Sequence, residues 1–443
     1  MSDLPEDDGG DDIRAPGRDP RDRRAVPMRA YVLHPDTGFG RARRPAAPAL
    51  AEAVSLATAL PDLEVTGAEV VHLARAHPGL LFGTGKVAAL KARFAALDVG
   101  LVLVDGPVSP VQQRNLEKEW GVKLLDRTGL ILEIFADRAR TREGVLQVEL
   151  AALSYQRTRL VRAWTHLERQ RGGFGFVGGP GETQIESDRR AIDDQVIRIR
   201  RQLDRVVKTR ELHRASRRKV PFPVVALVGY TNAGKSTLFN RMTGAGVLAR
   251  DMLFATLDPT MRAVELPSGR RVILSDTVGF ISDLPTQLVA AFRATLEEVL
   301  EADLILHVRD ISHPETEQQA ADVAGILASL GVRGDTPLLE VWNKLDLVEP
   351  AARAALAVQA ARSDTVLALS ALTGEGLPRL LEAVSAAFEE EKTDRELRLG
   401  FEDGRRRAWL HEAGVVQAER QTKTGYHIAV RWTARQQARY RDL

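Results

Sequence analysis

The segment Gly229-Tyr230-Thr231-Asn232-Ala233-Gly234-Lys235-Ser236 constrains this chain more than any other. It follows the apolar run VVALVG (224–229) and opens a helical pattern beginning at Thr237. A glycine-bounded loop of this spacing, between a buried strand and a helix, is a phosphate-binding loop. Its two glycines let successive N–H groups converge on phosphate oxygens, and the helix N-terminus adds favourable partial charge. Lys235 is placed to bring a point charge to β- and γ-phosphates, and the Ser236 hydroxyl to ligate Mg2+. The segment LFGTGKVAALK (81–91) has similar residues without the spacing, and reads instead as a turn capping a helix.

Three further elements follow in order. Asp276-Thr277-Val278-Gly279 ends the apolar run RVILSD; the aspartate is placed to hold magnesium through water, and Gly279 to offer its N–H to a γ-phosphate. Asn343-Lys344-Leu345-Asp346 ends the next-but-one run, at the sheet edge where nucleotides bind. The two carboxylate oxygens of Asp346 match the N1–H and N2–H₂ donors of guanine, a pair that adenine lacks. Ser370-Ala371-Leu372 ends the last run, where the Ala371 N–H is placed to meet the guanine oxygen. Each tetrapeptide alone is weak; all four, each at a strand end and in this order, point to a guanine nucleotide.

The rest of the chain divides around that unit. The 443 residues allow two to four domains, and they carry 62 Lys+Arg against 60 Asp+Glu with no cysteine, which excludes disulfide scaffolds, thiol nucleophiles and cysteine-bound metals. No apolar run is long enough to span a bilayer and the N-terminus lacks a signal-peptide core, so a cytoplasmic protein is expected, associated at most peripherally with ribosomes or membrane. Residues 1–28, acidic and then rich in Arg and Pro, read as a disordered tail. Residues 29–143 alternate apolar runs (AYVLH, LVLVD, KLLDR) with helical patterns, as a small parallel α/β domain does. Over 144–219 two heptad-like stripes, Leu146 to Leu167 and Ile192 to Val206, predict a long helical hairpin. Between them, residues 171–190 hold too many glycines for a helix. Residues 220–392 read as a doubly wound α/β sheet, and 393–443 as a small α+β domain.

GYTNAGKST, DTVGF, NKLD and SAL together resemble the GTPase module of the Obg–HflX branch of translation-associated P-loop GTPases. GVLQVELAALSYQRTRL (144–160) and GFVGGPGETQIESDRR (175–190) resemble the HflX family itself. The resemblance runs from about residue 30 to 390. It implies that LFATLDPTMR (253–262) is switch I, so that Phe254, Ala255, Thr256, Leu257 and Asp258 border the nucleotide. Thr256 would then bind magnesium and sense the γ-phosphate, with Lys235 and Gly279 completing the catalytic set. It further implies a monomeric ribosome-binding GTPase that acts on the large subunit and its rRNA and dissociates stalled or inactive ribosomes. A factor for large-subunit assembly would use the same parts. A P-loop phosphotransferase has no need of the guanine-reading NKLD and SAL elements.

Two features bear on mechanism. After the DxxG glycine, where Ras-like enzymes carry a water-orienting glutamine, this chain has Phe280, which can neither donate to nor accept from water. Either the site is completed by a partner, giving slow intrinsic turnover, or the ring packs the switch onto the core; the two are compatible. Arg250 and Arg262 flank switch I as the nearest cis arginines. The hairpin carries Arg157, Arg162, Arg169 and Arg171 on one arm, and Arg189 and Arg190 on the other. Gly178, Gly179 and Gly181 lie between. Composition alone leaves this face as readily solvated surface as RNA-binding surface. Glycines that permit close backbone approach favour RNA, and the resemblance extends the tip toward the peptidyl-transferase region.

Overall fold

The computed structural model describes residues 27–37, 45–170, 180–217, 222–245, 253–254, 256, 260–282, 298–332, 335–389 and 392–441. The side chains of 160–170, 180–185, 188, 207–217, 392 and 434–435 lie outside that description. The 1–26 part of the expected tail and the 171–179 part of the glycine-rich tip therefore fall outside it.

The N-terminal unit is a parallel four-stranded sheet in the order β2-β1-β3-β4, from β1 (Met28–Asp36), β2 (Leu63–His72), β3 (Leu101–Val104) and β4 (Lys123–Asp126). Its crossovers are α1 (Ala46–Thr58), α2 (Thr84–Ala96) and α3 (Pro110–Trp120). The start of α3 shows why helices begin where they do. Ser109 and Gln112 cap each other's backbone N–H groups, with Pro110 at the first helical position. β4 runs directly into α4 (Arg127–Arg138), with the Asp126 carboxylate accepting the Gly129 N–H at 2.8 Å as an N-cap.

The hairpin follows as α5 (Arg142–Gln170) and α6 (Pro180–Arg217). Leu146, Leu153, Val196 and Ile199 form its buried seam, flanked by Leu150, Ile192, Leu203 and Val206. The expected irregular segment 171–190 is corrected in part, because α6 already begins at Pro180. The glycines stop at Gly181, proline is tolerated in a first turn, and the residues after it are ordinary helix formers. Gly181 thus belongs to a helix start.

The central sheet has six strands in the order β10-β9-β8-β5-β7-β6. These are β5 (Val224–Gly229), β6 (Thr260–Glu265), β7 (Arg271–Asp276), β8 (Leu304–Asp310), β9 (Leu338–Asn343) and β10 (Val366–Ala368). Only β6 is antiparallel to its neighbour. Helices α7 (Lys235–Thr243), α8 (Thr316–Leu330), α9 (Pro350–Ala360) and α10 (Leu377–Ala387) accompany it. One sheet face packs Val225, Leu227, Leu304 and Leu306 against Leu238, Leu380 and Val384. The other, with Ala226, Val228 and Ile305, belongs to a core that continues into Leu130, Ile131, Ile134 and Phe135 of α4. The N-terminal unit and the nucleotide-type sheet thus share a hydrophobic core. A three-stranded antiparallel sheet, β11 (Lys392–Leu399), β12 (Val416–Thr422) and β13 (Gly425–Thr433), carries α11 (Gly404–Glu412) and α12 (Ala434–Arg441) at the C-terminus. Among the described residues no helix is long and apolar enough to cross a membrane.

Candidate functional site

The phosphate loop leaves the carboxyl end of β5 through two glycines that no other residue could replace. Gly229 has φ 153° and Gly234 φ 91°. A Cβ on the first would collide with the Val308 carbonyl of β8, and on the second with the Asn343 amide. Lys235, 6% exposed, donates from Nζ to the carbonyls of Gly229 (3.1 Å) and Tyr230 (2.9 Å). Burial lowers its pKa to about 8, opposed by the Asp276 carboxylate. An ammonium so placed gains most from an anion brought into the loop.

Three oxygen-bearing side chains converge beside it. Ser236 Oγ donates to Asp276 Oδ2 at 2.7 Å, Thr256 Oγ1 donates to the same oxygen at 2.9 Å, and the two hydroxyls lie 2.8 Å apart. Asp276 is fully buried, and burial raises its pKa against the pull of Lys235. Its Oδ1, like the Thr231 hydroxyl, is buried with no hydrogen-bond partner among the described residues. Such a tight set of hard oxygens, one of them unspent, fits a magnesium ion, which takes few protein ligands and leaves positions to water and phosphate. Thr277 faces the other way, donating from Oγ1 to the Leu227 carbonyl at 2.6 Å, and so holds the strand end.

The DTVG segment is laid directly on the loop. Thr231 N–H donates to the Phe280 carbonyl at 2.7 Å and Phe280 N–H to the Gly229 carbonyl at 3.1 Å. A Cβ at Gly279 would come within 2.8 Å of Thr231 Cγ2 and 3.1 Å of Lys235 Nζ, so glycine permits this approach. Phe280 itself is 2% exposed and packed with Ile281 and Val278 in the shared core. Of its two expected roles, packing is the one the geometry displays. In switch I, Phe254 adopts φ 55° and stacks edge-on against Phe135 of α4 at 4.6 Å. Ala255, Leu257 and Asp258, and Arg250 beside them, lie outside the described residues.

At the strand end expected to read guanine, Asn343 is a staple. Its Nδ2 donates to the Ala233 carbonyl and its Oδ1 accepts the Ala371 N–H, both at 2.8 Å. The Ala371 N–H expected to meet guanine therefore already donates to Asn343 Oδ1, and a base oxygen would have to displace that acceptor. Ser370 Oγ donates to Asp346 Oδ1 at 2.5 Å and so orients that carboxylate. Lys344, at φ 67°, pairs with Asp310 at 2.8 Å. Leu345 is buried beneath, whereas Leu372 is 68% exposed. Asn232 and Thr231 also line a cleft of about 450 Å³ that runs between α1 and the loop.

The hairpin residues are differently placed. Arg157 pairs with Asp193 at 2.9 Å across the two arms, Arg189 approaches the same carboxylate at 3.9 Å, and Arg190 pairs with Glu186. Such exposed pairs contribute little and leave the arginines open to phosphate. The side chains of Arg162 and Arg169, and the whole of Arg171, Gly178 and Gly179, lie outside the described residues.

Residues 47–136 match the GTP-binding GTPase N-terminal family, 138–217 its middle region, 224–344 the family described as 50S ribosome-binding GTPase, and 355–441 the HflX C-terminal domain. A GTPase HflX of Magnetococcus marinus is 54% identical over 369 residues, covering 83% of this chain and 84% of that one. The chain belongs to the HflX GTPase family. A second member, from Escherichia coli, is 46% identical over 343 residues, covering 77% of this chain and 80% of its own length. Among solved structures, a GTP-binding protein of Sulfolobus solfataricus in complex with GDP aligns at a TM-score of 0.44 with 23% identity, over 81% of this chain and 98% of that one. As a member of this family the chain is a GTP-hydrolysing enzyme, and the phosphotransferase reading falls away.

Sequence reasoning missed the side chains that join this site to the N-terminal unit. The Tyr230 hydroxyl donates to Glu52 at 2.5 Å and accepts the Ser282 N–H at 2.7 Å, while Arg127 donates to the Ser282 carbonyl at 2.9 Å. In the sequence Tyr230 stands out only as part of the loop. Residues this far apart in sequence leave no spacing signal, and the one hint was a polar residue, Arg127, opening an apolar helix.

Proposed function

We propose that this chain is a ribosome-binding GTPase that associates with the large subunit and splits stalled or inactive ribosomes. Its GTP state is the active one and hydrolysis releases it. The observation that carries the reading is the shared core: the sheet that bears the phosphate loop packs on the N-terminal unit, from which the long hairpin extends. That continuity gives the nucleotide a mechanical route to an RNA-sized arm. The family's description as 50S ribosome-binding supports the target.

In this reading Lys235 neutralises the β- and γ-phosphates, Ser236 and Thr256 hold Mg2+, and Asp276 holds it through water. Magnesium, when bound, supplies charge stabilisation to the transferring phosphoryl group. Gly279 offers its N–H to the γ-phosphate, and Asp346 reads the base. With Phe280 in the core, water positioning is left to a partner, so intrinsic turnover is slow and ribosomes raise it. Arg157, Arg189 and Arg190 exchange their weak exposed partners for rRNA phosphates, and Arg162, Arg169, Arg171, Gly178, Gly179 and Gly181 bind the same rRNA. The protein works as a cytoplasmic monomer.

Light scattering of intact ribosomes mixed with the protein and a non-hydrolysable GTP analogue tests this. The reading predicts loss of scattering as subunits separate. Unchanged ribosomes, with precursor particles accumulating when cells are depleted of the protein, would favour large-subunit assembly instead.

A further inference from the structure

Helix α4 lies between the hairpin and both switches. On the hairpin side its N-cap Asp126 is gripped by α5: the Tyr155 hydroxyl donates to Oδ1 at 2.6 Å and Arg159 Nη1 to Oδ2 at 3.0 Å. The next residue, Arg127, is 8% exposed and points the other way. It donates from Nη1 to Asp105 Oδ1 at 2.6 Å, and from Nη2 both to Glu52 and to the Ser282 carbonyl at 2.9 Å. Ser282 stands three residues beyond Gly279. It is pinned at both backbone ends, its N–H on the Tyr230 hydroxyl and its carbonyl on Arg127. Further along α4, Phe135 packs on Phe254, two residues before Thr256.

We infer that Asp126–Arg127 is a coupling joint, in which Arg127 positions the segment after Gly279 for GTP hydrolysis and Tyr155, acting through Asp126, sets where Arg127 points. A buried guanidinium shared by two carboxylates is a poor source of net stability, since desolvation offsets much of the attraction. What its planar fork does supply is direction, fixing two carboxylates and one carbonyl in a single plane of donors. The Ser282 carbonyl is the only one of the three acceptors that belongs to the switch. Hydrolysis is sensitive to such placement, because a displacement of about 1 Å in the reacting set can cost on the order of a hundredfold. The joint also explains why α5 spends Tyr155 and Arg159 on a helix cap and not on solvent.

The inference rests on GTP hydrolysis alone, so its test needs no ribosome and can fail independently of the ribosome reading. Steady-state hydrolysis by the full chain is compared for the parent, Tyr155→Phe, Arg127→Lys and the double variant, with fluorescent-GDP titration alongside. Tyr155→Phe keeps the ring and deletes the hydroxyl, which donates to Asp126 and accepts from Arg159 Nη1. Expected are kcat losses of roughly threefold for Tyr155→Phe and roughly tenfold for Arg127→Lys, as for one weakened and one redirected hydrogen bond. KM and GDP affinity should stay within about twofold, the signature of an interaction that acts on the reacting state. Because the two act in series, the double variant should lose no more than Arg127→Lys alone. Unchanged or raised kcat in folded Arg127→Lys, or multiplied losses in the double variant, would overturn the joint. If Arg127→Lys does not fold, Tyr155→Phe decides alone: unchanged kcat overturns the inference and a selective kcat loss sustains it.

Discussion

Replacing Asn343 by alanine should loosen the nucleotide pocket from its centre. The side chain is 2% exposed and makes two bonds, to the Ala233 carbonyl of the phosphate loop and from the Ala371 N–H of the SAL turn. Both partners are themselves buried, Ala233 at 1% and Ala371 at 3%. Truncation therefore leaves a donor and an acceptor unpaired, each costing about 1–3 kcal/mol, less whatever a water entering the vacated space recovers. A loss of about 3 kcal/mol in a unit of this size lowers the melting temperature by about 6–12 °C. GDP affinity should fall as well, because the loop carbonyl and the SAL turn are no longer held in register before the nucleotide arrives. Asn343→Asp is the sharper variant. It keeps an acceptor for the Ala371 N–H but turns a carboxylate oxygen toward the Ala233 carbonyl, and should bind GDP no better than the alanine variant. Thermal unfolding with and without GDP, plus a fluorescent-GDP titration, reads both effects. An unshifted melting temperature with parental GDP affinity would refute the staple.

Four other outcomes follow from the same geometry. Asp346→Asn should move base preference from guanine toward xanthine by on the order of a hundredfold, read by competition between GTP and XTP; parental selectivity would remove Asp346 from base reading. Lys235→Ala should abolish GTP hydrolysis while leaving circular dichroism unchanged, and a normal rate would take the loop out of the mechanism. His307 on β8 has its pKa lowered to about 4, mainly by burial, so the unfolded chain binds the extra proton first. Stability should therefore be complete above pH ~6.5 and fall toward pH 4, by about 2 kcal/mol at pH 5, a slope that His307→Gln should reduce in unfolding scans. Reversing Arg169 and Arg171 to glutamate should weaken pelleting with large subunits, most at low salt, and leave GDP binding by the free protein intact; equal pelleting would make the hairpin face plain solvated surface.

The strands that carry the pocket were legible because they are buried on both faces. VVALVG reads as a continuous apolar run, and β5 stands at those residues. The edge strand β2 was not read, since LEVTGAEVVH mixes charge with apolar residues. Its Gly67 also sits at a register shift against β1, where a Cβ would strike the Tyr31 ring. The heptad stripe gave away the hairpin but not where α6 starts, because glycine content over a window hides a helix that begins at its last glycines. At the site, the loop, the DTVG turn and the Asn343 and Asp346 motif were visible as local patterns. Two aspects were not. The Asn343 side chain turns out to occupy the Ala371 N–H, and the Glu52–Tyr230–Ser282–Arg127 connections join residues tens to hundreds of positions apart. Local spacing records what one strand end presents to a ligand; it does not record which distant side chain holds that strand end still.

In the proposed function, the nucleotide state governs engagement of the large ribosomal subunit. Co-sedimentation of the purified chain with isolated large and small subunits, in a non-hydrolysable GTP analogue and in GDP, tests it most directly. Pelleting is expected with the large subunit in the analogue, little in GDP and none with the small subunit. Equal pelleting in both nucleotides, or a preference for the small subunit, would contradict it.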